Sequence, residues 1–257
     1  MREGFVETRA GRVHYERGGE GTPLVLLHSN GNSLHEYAPA IPQLAQSFDV
    51  IGWDMPGQGD SAPLCNHLTI DDYGDCVVDL LDGLGLARAT ILGASVGGTI
   101  NASLGARRAD RVTALVFVET QFRTAEWWQQ MWTHVERLFA VPAQSPEQVA
   151  ARFRRVTPEL VERLNLDRHK AGGRSMMSVM WAIREFDMAG MVAQINAPSL
   201  LLYGSDGPTI QVAEAFQQAL PIASMAVIDG CGHFPMLDEP DEFVSVVRAF
   251  CAGGGQT

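Results

Sequence analysis

The stretch Ala89-Thr90-Ile91-Leu92-Gly93-Ala94-Ser95-Val96-Gly97-Gly98-Thr99 decides how this chain is read. Ala89 to Leu92 is apolar and β-rich, residues 99–107 suit a helix, and between them Gly93 and Gly97 flank Ser95 in a G-x-S-x-G pattern. The spacing predicts a strand, a sharp turn and a helix. A serine at such a turn occupies a crowded, sparsely populated backbone conformation, so its neighbours must lack large side chains. A helix beginning at Val96 would aim its free N–H groups back at the serine, where negative charge develops when a carbonyl is attacked. A glycine-bounded turn without chemistry looks the same locally, so the remainder of the chain has to separate the two.

The 257 residues are 46% hydrophobic and 19% charged, enough for one large core, and predict a single domain carrying an insertion. A formal net charge of −11 argues against a nucleic-acid partner, because that affinity rests on lysines and arginines neutralising phosphates. Cys65, Cys76, Cys231 and Cys251 form no C-x-x-C pair, which predicts reduced thiols in a cytoplasmic protein rather than a zinc site or disulfide framework. The start, Met1 to Glu7, has no signal-like apolar run, and no apolar stretch is long enough to span a membrane. The seven histidines show no metal-ligand spacing, so no metal is expected. Gly57-Gln58-Gly59 and Gly83-Leu84-Gly85 lack the third glycine of a dinucleotide fingerprint and read as turns.

From the start of the chain, residues 12–16 alternate as a short strand, and residues 23–28 form a continuous apolar strand of the buried kind. The loop His28-Ser29-Asn30-Gly31-Asn32-Ser33 then leads into a predicted helix over 34–45. Small and polar, it can hold N–H groups outward; equally, Asn32 or Ser33 can be an N-cap. Residues 48–54 read as a strand, the loop 54–61 as a tight structural turn, and residues 70–84 as a helix begun by Thr69 or Asp71. Further strands are predicted over 114–119, 199–203 and 225–229. The last is followed by Gly230-Cys231-Gly232-His233-Phe234-Pro235 and a helix over 241–250, and the glycine-rich tail 252–257 reads as disordered.

Four motifs in order carry a family resemblance: His28-Ser29-Asn30-Gly31, Asp54-Met55-Pro56-Gly57-Gln58-Gly59-Asp60-Ser61, Gly93-Ala94-Ser95-Val96-Gly97-Gly98 and Gly230-Cys231-Gly232-His233. Together they resemble the α/β-hydrolase superfamily, over roughly residues 5–120 and 198–250. The resemblance implies an α/β fold whose mostly parallel central sheet is flanked by helices, with a helical cap inserted after the sixth strand. On that reading residues 1–120 and 198–257 form the core and residues 121–197 the cap. Ser95 would be the nucleophile, His233 the general base, and the N–H groups of Asn30 and Val96 the oxyanion hole. Ser29 departs from the pattern, which usually has glycine after the histidine.

Two carboxylates compete for the acid. Asp206 follows the strand over 199–203, the commonest family location, but stands two residues after Gly204 instead of three. Glu119 ends the strand after the nucleophile helix, a position that supplies the acid in some branches. Between the strands ending at Glu119 and beginning at Ser199, the sequence looks helical throughout, with Pro142 to Pro146 and Ala171-Gly172-Gly173 as punctuation. Its Trp128, Trp132, Met177 and Trp181 read either as cap core or as the apolar roof of a substrate pocket.

A serine at position 95 argues against dehalogenation and epoxide hydrolysis, which use aspartate in this family. What remains is acyl transfer to water without a cofactor: a carboxylic ester or lactone first, with thioesters, carbon–carbon cleavage or a slow ligand-binding receptor as alternatives. The apolar cap, with no arginine cluster in the catalytic motifs, favours a neutral, fairly hydrophobic small-molecule substrate.

Overall fold

The structure, a computed structural model, describes residues 1–253, and its eight strands form one sheet in the order β1-β2-β4-β3-β5-β6-β7-β8. They are β1 (Arg2–Thr8), β2 (Gly11–Gly18), β3 (Thr22–Leu27), β4 (Phe48–Trp53), β5 (Ala89–Ala94), β6 (Val112–Val118), β7 (Ser199–Gly204) and β8 (Ala223–Ile228). From β4 to β8 every neighbouring pair is parallel, whereas β1 with β2 and β2 with β4 are antiparallel. β1 lies outside the sequence-predicted strands. Only Val6 of its seven residues is buried, so an edge strand of this kind has little apolar alternation to betray it.

Parallel strands are buried on both faces, which explains the continuous apolar runs. In β3, Val25 and Leu27 join one core cluster with Ile51, Trp53 and Ile91, while Leu24 and Leu26 point into a second with Val50, Leu92 and Val116. The chain order reverses between β3 and β5, whose other neighbours are β4 and β6. Loops leaving the carboxyl ends of two strands diverge at such a switch point and open a crevice there. Here those loops carry Asn30 and Ser95.

Short helices α1 (Ile41–Leu44) and α2 (Ile70–Gly83) follow β3 and β4, and α3 (Val96–Arg107) follows β5. Thr69 caps α2 in a reciprocal pair with Asp72, as helix-start chemistry requires. The single helix predicted over 34–45 is instead a 3₁₀ turn, Leu34–Tyr37, and the four-residue α1. Pro39 and Pro42 lack the N–H groups that a continuous helix needs.

Between β6 and β7 lie α4 (Ala125–Phe139), α5 (Pro146–Ala150), α6 (Pro158–Glu185) and α7 (Met188–Val192). α6 is broken at Gly172, whose φ of 71° and ψ of 153° are non-helical. This helical segment is tied to the sheet's loops by backbone and side-chain bonds: Asn30 Nδ2 donates to Met176 O at 2.9 Å, Ser33 Oγ to Asp167 at 2.9 Å, and Ser175 Oγ to Gly57 O at 2.9 Å. After β7 come α8 (Ala213–Ala219), α9 (Pro235–Asp238) and α10 (Pro240–Gly253). Of the tail read as disordered, 252 and 253 end α10, and 254–257 lie outside the described residues. Among the described residues no helix is long and apolar enough to cross a membrane.

Candidate active site

Ser95 stands between β5 and α3 with φ 53° and ψ −110°. Its N–H donates to Val118 O at 2.9 Å, so the end of β6 fixes the turn. Such a backbone costs on the order of 1–3 kcal/mol and persists only where surrounding contacts enforce it. Glycines make the enforcement possible: a Cβ on Gly93 would run into the Gly97 backbone, one on Gly97 would stand 2.5 Å from Leu27 O, and one on Gly98 would strike the Thr120 side chain. Every other residue from 91 to 105 is buried, and Ser95 alone is partly exposed.

Beside it, directly after the end of β6, stands Glu119, a fully buried carboxylate with φ 47°. Glu119 Oε1 accepts the Gly204 N–H at 2.7 Å, and Oε2 accepts the Thr209 hydroxyl and faces His233 Nδ1 at 3.1 Å. A Cβ on Gly207 would overlap the Glu119 carboxylate. The His233 loop is anchored by its own N–H, which donates to Arg152 O at 2.8 Å, and by Asp238, which accepts from Gly232 N at 2.9 Å and Arg154 N at 3.0 Å. A carboxylate on Nδ1 makes that nitrogen the protonated one and leaves Nε2 free to accept a proton. Among the described residues no hydrogen bond joins Ser95 Oγ to the ring.

Of the two acid candidates, therefore, His233 meets Glu119. Asp206 is exposed, and among the described residues its carboxylate accepts only from the neighbouring Ser205 hydroxyl, at 3.4 Å. Thr209, a donor to Glu119, is a residue that sequence reasoning missed. It lies ninety positions from its partner, and no local pattern marks it.

The loop after β3 is held from several sides. Gln58 accepts from Gly31 N at 2.7 Å and donates to Asn30 Oδ1 at 2.8 Å. Glu36 accepts from Ser29 N at 3.0 Å, Ser29 Oγ at 3.1 Å and Asn32 Nδ2. Serine at position 29, the departure from the family pattern, thus has a partner of its own. Burial pushes the Glu36 carboxyl up to about 7, although the loop donors and the Arg152 charge pull the other way. His28 donates from Nδ1 to Ser29 O and accepts Met55 N at Nε2, a neutral tautomer in keeping with a pKa that burial lowers. Within this scaffold no protein acceptor occurs, among the described residues, for the N–H of Asn30 or of Val96. Two donors, in the loop after β3 and at the start of α3, thus have no protein acceptor among the described residues.

The four side chains read either as cap core or as a pocket roof divide between packing and a cavity. Trp128 is buried with Val135 and Met180 between α4 and α6, and Trp132 packs at 4.4 Å against Trp181. Met177 and Trp181 line a cavity of about 480 Å³ against Gly57, Leu64 and His67, and none of Ser95, His233, Asn30 and Glu119 lines it. The catalytic motifs themselves carry no arginine cluster, but two arginines from elsewhere in the chain reach their loops. Arg152 reaches the His233 loop through its carbonyl, and Arg168 packs against Gly31, both from the helical segment far along the chain.

His14, Asp54 and Asp60 bring three metal-ligand-type groups within 4.8 Å of one another. Each is already engaged: Asp54 accepts from Leu34 N and Asp60 N at 2.9 Å and pairs with His14 Nδ1 at 2.8 Å, while Asp60 pairs with Lys170 at 2.7 Å. The group braces the loop after β4.

Known proteins share this architecture. The chain is 27% identical, over 92% of its own length and 98% of the other protein's, to a pimeloyl-(acyl-carrier protein) methyl ester esterase of Nitrosomonas europaea. It is 26% identical to the dihydrolipoyllysine-residue acetyltransferase component of an acetoin cleaving system of Pseudomonas putida, with 92% of the chain spanning 65% of that protein. Among solved structures, the enol-lactonase from Burkholderia xenovorans LB400 superimposes with a TM-score of 0.80 at 24% identity, over 97% of this chain and 100% of that one. The family described as alpha/beta hydrolase fold matches residues 22–188, and the chain, with its β3 and β5 loops at the sheet's switch point, belongs to it.

Proposed function

We propose that the protein is a serine hydrolase that cleaves a carboxylic ester or lactone through an acyl-serine intermediate. The observation that carries this reading is the 3.1 Å contact of His233 Nδ1 with buried Glu119, beside a serine held at φ 53°. In the reaction Ser95 Oγ attacks the carbonyl carbon while its proton passes to His233 Nε2. Substrate binding has to close the Oγ–Nε2 contact, as is common for such pairs. Glu119 keeps the ring in the tautomer that can accept and stabilises the imidazolium that forms.

The oxyanion of the tetrahedral intermediate is received by the N–H groups of Asn30 and Val96, fixed in advance and needing no reorganisation. As the intermediate collapses, His233 returns the proton to the departing alkoxide. Water, deprotonated by the same ring, then attacks the acyl-serine and frees the acid. The helical segment from α4 to α7 is read as a cap over this site. No step needs a cofactor.

A fluorophosphonate probe followed by intact-mass measurement tests the nucleophile without knowledge of the substrate. One covalent adduct is expected on the wild type and none on Ser95→Ala. Absence of an adduct on the folded wild type would overturn the reading in favour of a ligand-binding protein.

A further inference from the structure

Several arginines of this protein are paired with acids. Half-exposed ones hold carboxylates: Arg9 with Asp79 at 2.9 Å, Arg17 with Asp49 at 2.6 Å, Arg154 with Glu239 at 2.7 Å. Arg168, only 2% exposed, and Arg152 have no carboxylate within 4.0 Å among the described residues. A buried cation without a counter-charge is costly, and folded proteins keep one only where something compensates it.

Both guanidinium groups are positioned, yet not saturated. Arg168 Nη2 donates to Leu138 O at 2.6 Å and Val141 O at 2.9 Å, which pins the fork, and Nη1 comes within 3.3 Å of the place a Cβ on Gly31 would occupy. Arg152 Nη2 donates to Gln144 Oε1, and the guanidinium lies 5.4 Å from the Phe234 ring. Nε of each arginine and Nε2 of Gln144 are buried without a partner. Burial, with the Arg168 charge added, brings Arg152 down to about 10, and burial alone brings Arg168 to about 10.

The acids nearby are committed elsewhere. Asp167 takes Ser33 and Arg163, and Glu36 spends its oxygens on Ser29 and Asn32, acting on Arg152 only through space. Arg152, at the His233 loop, thus feels one acid of raised pKa through space, and Arg168 lies against Gly31.

We propose that Arg152 and Arg168 form an anion subsite for a carboxylate of the substrate, so that the ester or lactone cleaved at Ser95 derives from an acid bearing a second, free carboxylate. The inference rests on the serine-hydrolase reading for its reaction, but its binding half can be tested apart from it. A carboxylate accepts strongly from guanidinium N–H groups, and here it would take up donors now left without partners.

The experiment compares monomethyl glutarate with methyl pentanoate, esters of the same five-carbon chain that differ in whether its far end is a carboxylate or a methyl group, on wild type, Arg152→Met and Arg168→Gln. Thermal stabilisation by glutarate is measured in parallel. The wild type is expected to prefer the acid ester in kcat/KM by about 10- to 100-fold, the range of a charged hydrogen-bonded contact, with the gain in KM. In each variant that ratio falls towards one and the glutarate shift shrinks. A wild-type ratio near one without glutarate stabilisation, in a protein that the fluorophosphonate labels, would overturn the subsite and leave the hydrolase reading standing. Variants that slow both esters equally and keep the ratio would overturn it too, since a packing defect does that. Arginine-dependent glutarate stabilisation of a wild type that takes no label would keep the subsite and remove the hydrolase reading.

Discussion

Ser95 and Glu119 are the two non-glycine residues with positive φ among the described residues, at 53° and 47°, and each directly follows one of two adjacent parallel strands. The Ser95 N–H bonds the carbonyl of Val118, one residue before Glu119, so the two strained positions brace each other. Strain at a pair of neighbouring strand ends, with a histidine on one of them, is the pattern expected where geometry is held for chemistry.

Glu119→Gln is expected to lower kcat by about a thousandfold or more, since the wrong histidine tautomer is then favoured. Asp206→Asn, at an exposed site away from His233, should leave kcat within about twofold. Steady-state kinetics on any ester turned over by the wild type decides it. A larger loss in Asp206→Asn would exchange their roles.

Thr209→Val removes the hydroxyl that donates to Glu119 while keeping the shape of the side chain. A buried carboxylate losing one of its donors should cost about 1–2 kcal/mol, read as a lower urea midpoint. The accompanying loss in kcat should be smaller than that of Glu119→Gln, because Gly204 N still holds the carboxylate.

Gly98→Ala should destabilise the fold by about 1–3 kcal/mol, because the added methyl meets the Thr120 side chain. Adding Thr120→Ala should recover part of that loss. A double-mutant cycle with no coupling would show that the α3–β6 contact is not what fixes the glycine.

Glu36 predicts a dependence of stability on pH. Its carboxyl is raised from 4.5 to about 7 in the folded protein, so the folded form keeps a proton that the unfolded form releases within that window. Its contribution is fully present below the unfolded value and is lost as pH rises to about 7. Glu36→Gln can satisfy Ser29 and Asn32 through one oxygen and one amide without titrating. The melting temperature of the wild type relative to Glu36→Gln should therefore fall between about pH 5 and about pH 8, by the equivalent of roughly 2 kcal/mol. A difference independent of pH would contradict the raised carboxyl.

Much of the fold was legible in the chain because its signals are local. Buried parallel strands are short apolar runs, and β3, β5 and β7 read as such; the Thr69 cap and the Gly172 break announce themselves in residue types. The Ser95 turn is equally local, since its glycines lie within three residues of the serine and each answers a clash with a specific neighbour.

Edge strand β1 was not legible, because a strand with one buried residue carries almost no pattern. The choice between Glu119 and Asp206 could not be made either: both lie at strand ends, and only the packing of β6 beside β7 turns one of them to His233. Nor could the arginines be assigned. Arg152 and Arg168 sit in sequence that looks solvent-facing, and the segment's docking onto the β3 and β8 loops is what brings them against Gly31 and the His233 backbone. By itself, the sequence determined where the chain turns, caps and exposes a serine, since those depend on a few neighbouring residues. Which charges meet there was decided by tertiary structure alone, because electrostatic partners are set by distance in space and desolvation, and both exist only once distant segments pack.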